Sequence, residues 1–337
     1  MNENILLDVK DLSKFFPVTE GFFNKAYGYI KAVNNISFQI NKGQTLGLAG
    51  ESGCGKTTAG KVIIRLLEPT SGRIMFHLDN KIVDMGNVDK KNLKSLRKKV
   101  AMIFQDPTSS LNPRLSVKEI IADPLIVHKI AKGTKLNEIV TNLIELVGLK
   151  ASYLKRYPHE FSGGQKQRIG VARALVLEPK LIIADEPVSS LDISIQAQIL
   201  TLLKKLQKKL GFACLFISHD LRVIKHMSDA VAIMYLGKVV ELAEVEELYW
   251  KPKHPYTEAL LSAIPVIGNE SRTKRILLKG NVPDPLNIPS GCQFHPRCPY
   301  AIPKCAKEEP IIQKLSVKSN HLASCHLAKE LNLKGVS

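Results

Sequence analysis

Residues Gly50-Glu51-Ser52-Gly53-Cys54-Gly55-Lys56-Thr57 fill the spacing G-x-x-x-x-G-K-[ST]. Glycines at these places let successive backbone N–H groups turn inward around a phosphate. A lysine after the last glycine reaches the β- and γ-phosphates, and the hydroxyl that follows it, here Thr57, is a ligand for Mg²⁺. Glu51, Ser52 and Cys54 are the variable members of the cradle, and Thr58 continues it into the next element. Cys54 reads as a tolerated small residue of the loop, although its oxidation would block nucleotide entry. The chemistry expected here is capture of a nucleoside triphosphate.

Two further stretches extend that chemistry. Leu181-Ile182-Ile183-Ala184-Asp185-Glu186 is an apolar run closed by two carboxylates, as a strand buried on both faces would be. It would deliver Asp185 to the strand's C-terminal edge, to hold Mg²⁺ or its water beside Thr57. Glu186, one residue on, is placed to orient an attacking water and take its proton. Phe161-Ser162-Gly163-Gly164-Gln165-Lys166-Gln167-Arg168 opens a helix expected over Gln165–Leu177, with Ile169, Ala172, Leu175 and Val176 apolar. Ser162 suits its N-cap, and the free N–H groups of that end attract a phosphate.

These residues need strands and helices to hold them. Gln44–Ala49 reads as a short buried strand before the glycine loop, and Thr58–Leu67 carries helix-spaced Val62, Ile63, Leu66 and Leu67 after it. A strand over Ile5–Val9, a loop rich in glycine and aromatics (Gly21, Phe22, Phe23, Tyr27, Tyr29) and a strand over Ala32–Ile40 precede it. Gly72–His77 and Lys99–Phe104 follow as strands. From Ser116 to about Tyr157 the spacing turns helical, with Ile120, Ile121, Leu125, Ile139, Leu143 and Leu146 apolar, as in an inserted helical subdomain. Alternation resumes with strand Lys180–Ala184, helix Ile193–Leu210, strand Ala213–Ser218 and helix His219–Met227. Strands Ala230–Tyr235 and Lys238–Glu241 close around Leu236-Gly237.

The chain of 337 residues is 45% hydrophobic and 23% charged, a globular composition long enough for two domains. No apolar run approaches the ~20 residues that cross a bilayer, and the first residues lack a secretion signal's basic stretch and apolar core. A cytoplasmic protein is expected. The net charge of +17 comes from scattered lysines, and no aromatics interleave with them as a nucleic-acid stacking platform requires. No nucleic-acid partner is expected.

Ten of the 18 prolines lie from Pro252 to Pro310, which marks a loop-rich segment from about residue 252. Four of the six cysteines, Cys292, Cys298, Cys305 and Cys325, lie there or just beyond. Their spacing matches neither a zinc ribbon nor a ferredoxin run. Zinc, an iron–sulfur cluster or free thiols all remain open on these residues, and His295, His321 and His326 allow mixed ligation. Cys214 lies in an apolar strand and is read as core.

Taken together and in this order, the motifs resemble those of the ATPase subunits of ABC transporters. Ser162-Gly163-Gly164-Gln165 is similar to that family's signature, with Phe161 where leucine is more usual. The resemblance implies further roles. Gln105, in Phe104-Gln105-Asp106-Pro107, would touch Mg²⁺ and sense a transmembrane partner, and Ser190-Leu191-Asp192 would form the loop that crosses a dimer interface. His219 would contact the γ-phosphate and Phe16 would stack on adenine. The fold implied is α/β: a P-loop ATPase with an antiparallel β subdomain, a helical subdomain and a small loop-rich C-terminal extension. Its bounds would be residues 5–251 for the ATPase domain, with the helical part at about 106–165, and 252–337 for the extension. Two copies would pack head to tail, so that Lys56 of one and Ser162 and Gly164 of the other enclose one ATP with its Mg²⁺.

His254-Pro255-Tyr256-Thr257 and the stretch Gly291-Cys292-Gln293-Phe294-His295-Pro296-Arg297-Cys298-Pro299 resemble the C-terminal extension of oligopeptide and dipeptide importer ATPases. That implies a [4Fe–4S] cluster on Cys292, Cys298, Cys305 and Cys325, with zinc as the alternative. It also implies a peripheral place on the cytoplasmic face of the membrane, two permease subunits and an external peptide-binding protein. The insertion Gly21–Ile30 resembles the second of two paired ATPases, which implies a heterodimer. Nickel or another small solute stands as alternative cargo. A soluble ABC ATPase acting on DNA or ribosomes is a further reading, disfavoured because only one motif set and no heptad run are present.

Overall fold

These periodicities are realised in a computed structural model that describes residues 4–20, 25–78, 81–265, 275–316 and 319–336. Along the chain come β1 (Ile5–Glu20), β2 (Lys25–Asn41), β3 (Thr45–Ala49), α1 (Lys56–Ile63), β4 (Ser71–Leu78) and β5 (Lys81–Asp84). Then follow α2 (Lys90–Leu96), β6 (Val100–Ile103), α3 (Pro107–Ser110), α4 (Val117–Val127), α5 (Gly133–Leu146) and α6 (Gly163–Leu175). Next are β7 (Leu181–Asp185), α7 (Ile193–Leu210), β8 (Ala213–Ile217), α8 (Leu221–Met227), β9 (Ala230–Tyr235) and β10 (Lys238–Glu244). The last are α9 (Val245–Trp250), α10 (Pro255–Ser262), α11 (Pro303–Lys307), β11 (Gln313–Lys314) and β12 (Leu322–Ala323).

The chain divides into two compact units, the first made of Met1–Leu6, Ile40–Gln44 and Asn87–Ile217. In it β6, β7 and β8 run parallel, with Met102 opposite Ile183 and Ile183 opposite Leu215. Every residue of β7 and β8 is buried. A strand covered on both faces has no polar side to alternate with, which is why these segments read as unbroken apolar runs. Helix α4 starts with a capping box formed by Ser116 and Glu119 and buries Ile120, Ile121 and Leu125. Helix α5 buries Leu136, Val140, Leu143 and Ile144, so its inward stripe is centred nearer Val140 than the expected Ile139 and Leu146.

The second unit holds Leu7–Gln39, Thr45–Gly86 and Ser218–Ser337. Strands β2, β1, β4 and β5 form a sheet in that order, with β4 antiparallel to both β1 and β5. Here the expectation of a loop through Tyr27 and Tyr29 is corrected. Both lie on β2, 61% and 56% exposed, because aromatics at a two-residue period suit the open face of a strand. Gly21, Phe22 and Phe23 lie outside the described residues. Strand β3 pairs in parallel with β9, placing Leu46 opposite Ala230. Strands β9 and β10 form a hairpin whose two turn residues, Leu236 and Gly237, take φ of +42° and +83°. A two-residue turn of that hand matches the twist of the strands it joins.

The C-terminal segment is built mostly of loops, with short elements that tie it to its own unit. Strand β12 adds to β10, with Glu241 opposite Ala323, and β11 adds to β12. Tyr235 of β9, Tyr256 of α10 and Phe294 are fully buried and pack ring against ring at 4.7–5.4 Å between centroids. This aromatic cluster joins the segment to the hairpin of its own unit.

Candidate functional site

Three glycines shape the loop after β3: Gly50, Gly53 and Gly55 take φ of +152°, +80° and +106°. A Cβ on Gly50 would lie 2.2 Å from the Met234 carbonyl oxygen, and one on Gly55 would lie 1.9 Å from that of Ala32. Only glycine fits at these two places, since the backbone of β9 and β2 already occupies the space. The loop therefore leads into α1 with its N–H groups bare of side chains, the geometry of an anion cradle. Lys56 is buried, and its ammonium donates to the carbonyls of Gly50 (2.8 Å) and Glu51 (2.9 Å). Thr57 and Thr58 follow it in the first turn of α1. Cys54 is buried, and desolvation pushes its thiol up despite the nearby Lys56, so it is a poor nucleophile. Cys214 is core, its thiol pushed up to about 12 by burial.

Phe16 lies on β1, partly exposed, with the Lys14 ammonium 5.0 Å from its ring centre. His219 is exposed, just ahead of α8, which Asp220 caps by accepting from the Arg222 N–H (2.8 Å). The glycine loop, Phe16 and His219 all belong to the second unit.

The first unit holds the other expected residues of the nucleotide site and the signature helix. Asp185 is buried at the end of β7, and Glu186 follows it with φ of +44°. A non-glycine residue held in the left-handed region stores strain of order 1–3 kcal/mol, a common feature of functional positions. Its N–H donates to the Ile217 carbonyl (2.9 Å), which fixes the turn. The Gln105 side-chain amide donates to Glu186 Oε2 (3.2 Å), so these two residues, far apart in the chain, meet.

Ser162 caps α6: its hydroxyl accepts from the Gln165 N–H (3.4 Å) while Gln165 Oε1 accepts from the Ser162 N–H (3.1 Å). Gly164 is pressed against α7, where a Cβ would lie 2.4 Å from Ile195 Cγ2, and a Cβ on Gly163 would lie 3.1 Å from Leu191 Cδ2. The glycines thus bring Ser162–Gln165 against Ser190–Asp192 and the start of α7. Asp192 caps α7 through the Ile195 N–H (2.9 Å), which with the Ser194 hydroxyl holds its carboxyl below the usual range.

Cys292, Cys298, Cys305 and Cys325 line one small pocket in the second unit. Among the described residues no group of three or more His, Cys, Asp or Glu is placed to hold a metal ion. This corrects the expectation of an iron–sulfur cluster or zinc on these four residues. Burial pushes the Cys292 thiol up, that of Cys298 to about 11 and that of Cys325 to about 12. The nearby histidines are engaged elsewhere. His295 Nδ1 bonds the Cys292 carbonyl, His326 Nε2 that of Glu308, and His321 contacts Glu241 (2.7 Å) and Glu247 (3.2 Å).

Sequence reasoning missed what holds the glycine loop from outside. Arg297 donates from both terminal nitrogens to the Glu51 carboxylate, at 2.8 and 3.1 Å. The Glu51 N–H donates to the Tyr256 hydroxyl (2.9 Å). Both residues stand over 200 positions from Glu51, and no local spacing links them to it. The one signal available was a basic and an aromatic side chain amid a cysteine- and proline-rich stretch, which the cysteines drew attention away from.

Residues 33–189 match the family described as ABC transporter, and residues 240–305 match the oligopeptide/dipeptide transporter C-terminal region. The chain is 50% identical over 329 residues to the oligopeptide transport ATP-binding protein AppF of Bacillus subtilis, covering 97% of this chain and 98% of that one. It is 48% identical over 308 residues to the putative oligopeptide transport ATP-binding protein YkfD of the same organism, covering 90% and 92%. Among solved structures, a dimeric post-hydrolysis state of the ATP-binding cassette MJ0796 bound to ADP and Pi superposes with a TM-score of 0.62. It is 27% identical and covers 71% of this chain and 99% of that one. CbiO1 of Clostridium perfringens, part of the transporter complex cbiONQ, gives 0.61 at 28% identity, covering 73% and 91%. The chain belongs to the ATP-binding proteins of ABC transporters, in the branch that carries the oligopeptide/dipeptide C-terminal region. Its fold is the α/β P-loop ATPase fold of these cassettes, and its activity is ATP hydrolysis coupled to transport. Membership brings ATP and Mg²⁺ as cofactors, ATPase dimerisation and permease partners. It also brings a peripheral place at the membrane, and no helix among the described residues is long and apolar enough to cross one. The matched families are those of ATP-binding proteins, in agreement with the correction on the cysteines.

Proposed function

We propose that this chain is one of two paired ATPase motor subunits of a peptide importer, seated on the cytoplasmic face of the membrane. The observation that supports it is the continuous likeness, over 97% of the chain, to an oligopeptide transport ATP-binding protein. The likeness runs through the ATPase region and the extension, which we place at residues 5–251, with a helical subdomain at about 106–165, and 252–337.

In this reading Phe16 stacks on adenine, the loop Gly50–Thr58 cradles the phosphates, and Lys56 exchanges its two carbonyl partners for phosphate oxygens. Thr57, Gln105 and Asp185 would hold Mg²⁺, which when bound neutralises charge on the triphosphate. Glu186 orients a water and takes its proton, and His219 contacts the γ-phosphate. Ser162, Gly163, Gly164 and Gln165 act on the ATP of the partner subunit, and Ser190, Leu191 and Asp192 line the seam between the two. A γ-phosphate held from both sides adds charge-assisted hydrogen bonds across that seam, and its loss on hydrolysis lets the subunits part.

Two permease subunits would dock near Asp106–Leu115 and the end of α4. There Ile126, Val127 and Ile130 are 55%, 49% and 43% exposed, an apolar group suited to a helix of a membrane partner. Cargo would come from an extracytoplasmic peptide-binding protein, and the second ATPase would be a different chain.

The test is reconstitution of this chain with its permeases and companion ATPase in proteoliposomes. ATP-dependent uptake of labelled di- or oligopeptides is expected. Uptake of nickel without peptide transport would overturn the assignment of cargo.

A further inference from the structure

The residue at the centre of the phosphate loop's supports is Glu51. Its N–H and the Gly50 carbonyl belong to one peptide plane, and that plane is held at both edges. The Tyr256 hydroxyl accepts from the N–H (2.9 Å), and the Lys56 ammonium donates to the carbonyl (2.8 Å). Tyr256 is fully buried in the aromatic cluster, so its hydroxyl is a fixed post. The Glu51 carboxylate is gripped by Arg297, whose side chain is 8% exposed against 27% for Glu51. That grip in turn raises the pKa of the guanidinium.

An acid inside a loop that binds a triphosphate is an electrostatic liability, since like charges a few ångströms apart repel strongly away from bulk water. A forked guanidinium on that carboxylate cancels the charge and fixes the side chain away from the cradle. We propose that Arg297 and Tyr256, contributed by the C-terminal region, are positioning residues for the phosphate loop and set the affinity of this chain for ATP. The extension then has a role inside the motor: it holds Glu51, and through Glu51 the first peptide of the cradle. This inference rests on the nucleotide reading of Gly50–Thr57.

The experiment measures binding of a fluorescent ATP analogue to the purified full-length chain, with steady-state hydrolysis alongside. Arg297→Gln should weaken binding about tenfold, within the range of coupling energies for a contacting charged pair. Its KM should rise while kcat stays within about twofold, the signature of lost uniform binding. Adding Glu51→Gln to Arg297→Gln should recover at least about half of the lost affinity on a logarithmic scale, because the unpaired charge is gone. Tyr256→Phe removes one oxygen from a packed ring and should fold. It should weaken binding by about three- to fivefold, the worth of one hydrogen bond. Lys56→Ala is the control and should abolish tight binding. Wild-type binding, with Arg297→Gln and Tyr256→Phe both within twofold of it, would overturn the inference alone. So would a double variant as weak as or weaker than Arg297→Gln. A wild-type chain that binds no ATP would overturn the nucleotide reading itself.

Discussion

At the scale of single residues, Glu186 combines a left-handed backbone, φ of +44°, with a side chain bonded to the Gln105 amide. Its N–H is spent on the Ile217 carbonyl, so the turn that carries it is fixed by main-chain bonding. A glutamine there keeps the size and the acceptor oxygen but cannot take a proton. Glu186→Gln should therefore bind ATP like wild type and lose turnover by about 10²–10⁴-fold, the usual contribution of a general base. ATPase rates and nucleotide binding, with size-exclusion chromatography for a trapped ATP-bound dimer, check this. Wild-type hydrolysis by the variant would remove Glu186 from the base role.

At the scale of elements, α6 shows how two glycines and a serine make a usable helix end. Ser162 satisfies the Gln165 N–H and receives the reciprocal bond, while Gly164 lets α7 approach where any Cβ would meet Ile195. Ser162→Ala leaves an N–H without its acceptor and should lower stability by about 1 kcal/mol, the usual worth of an N-cap. The denaturant midpoint of the full chain is the measurement, and Ser162→Asn, another good cap, should sit close to wild type. Equal loss in both would mean that the hydroxyl's cap is not what matters. The serine cap of α6, the β9–β10 turn and the strand before the glycine loop were all legible in the sequence, because they depend on residues within four positions of each other. The long β1 and β2 were not. Their middles carry glycine, proline and exposed aromatics that locally favour a loop, and only the neighbouring strands of the sheet hold them extended.

At the scale of the molecule, the C-terminal segment is secured by a buried polar cluster that no local pattern announces. Glu241 is fully buried and accepts from the Lys253 N–H (2.6 Å), the His254 N–H (2.9 Å) and His321 (2.7 Å). Burial lowers the His321 pKa, but the bonds and charges of Glu241 and Glu247 outweigh it and leave the pKa raised. His254 lies beside this cluster. There nothing opposes burial, which holds its pKa down at about 3, and its Nδ1 accepts from the Tyr256 N–H. The two histidines thus act in opposite directions. A raised pKa gives stability that is complete below the unfolded value of about 6.5 and is lost as pH rises through the folded value; a depressed one gives stability present above 6.5 and lost as pH falls. His321→Gln should flatten the decline in thermal stability above pH 6.5 and leave the acid side unchanged. Melting curves from pH 5 to 9 decide it, and an unaltered slope above pH 6.5 would show that the pair does not carry charge.

The sequence by itself determined the ATPase: the phosphate loop, the acidic pair after β7 and the capped signature helix are each short, contiguous patterns whose chemistry is local. Only the tertiary structure decided how the C-terminal segment is anchored. Four cysteines in one stretch suggested a metal, yet they line a small pocket in which no group of described residues is placed to hold one, while Arg297, Tyr256 and His321 find partners on β10, α9 and the phosphate loop. Such partners are chosen by packing across 74 to 246 positions of chain, a distance over which no spacing rule reaches.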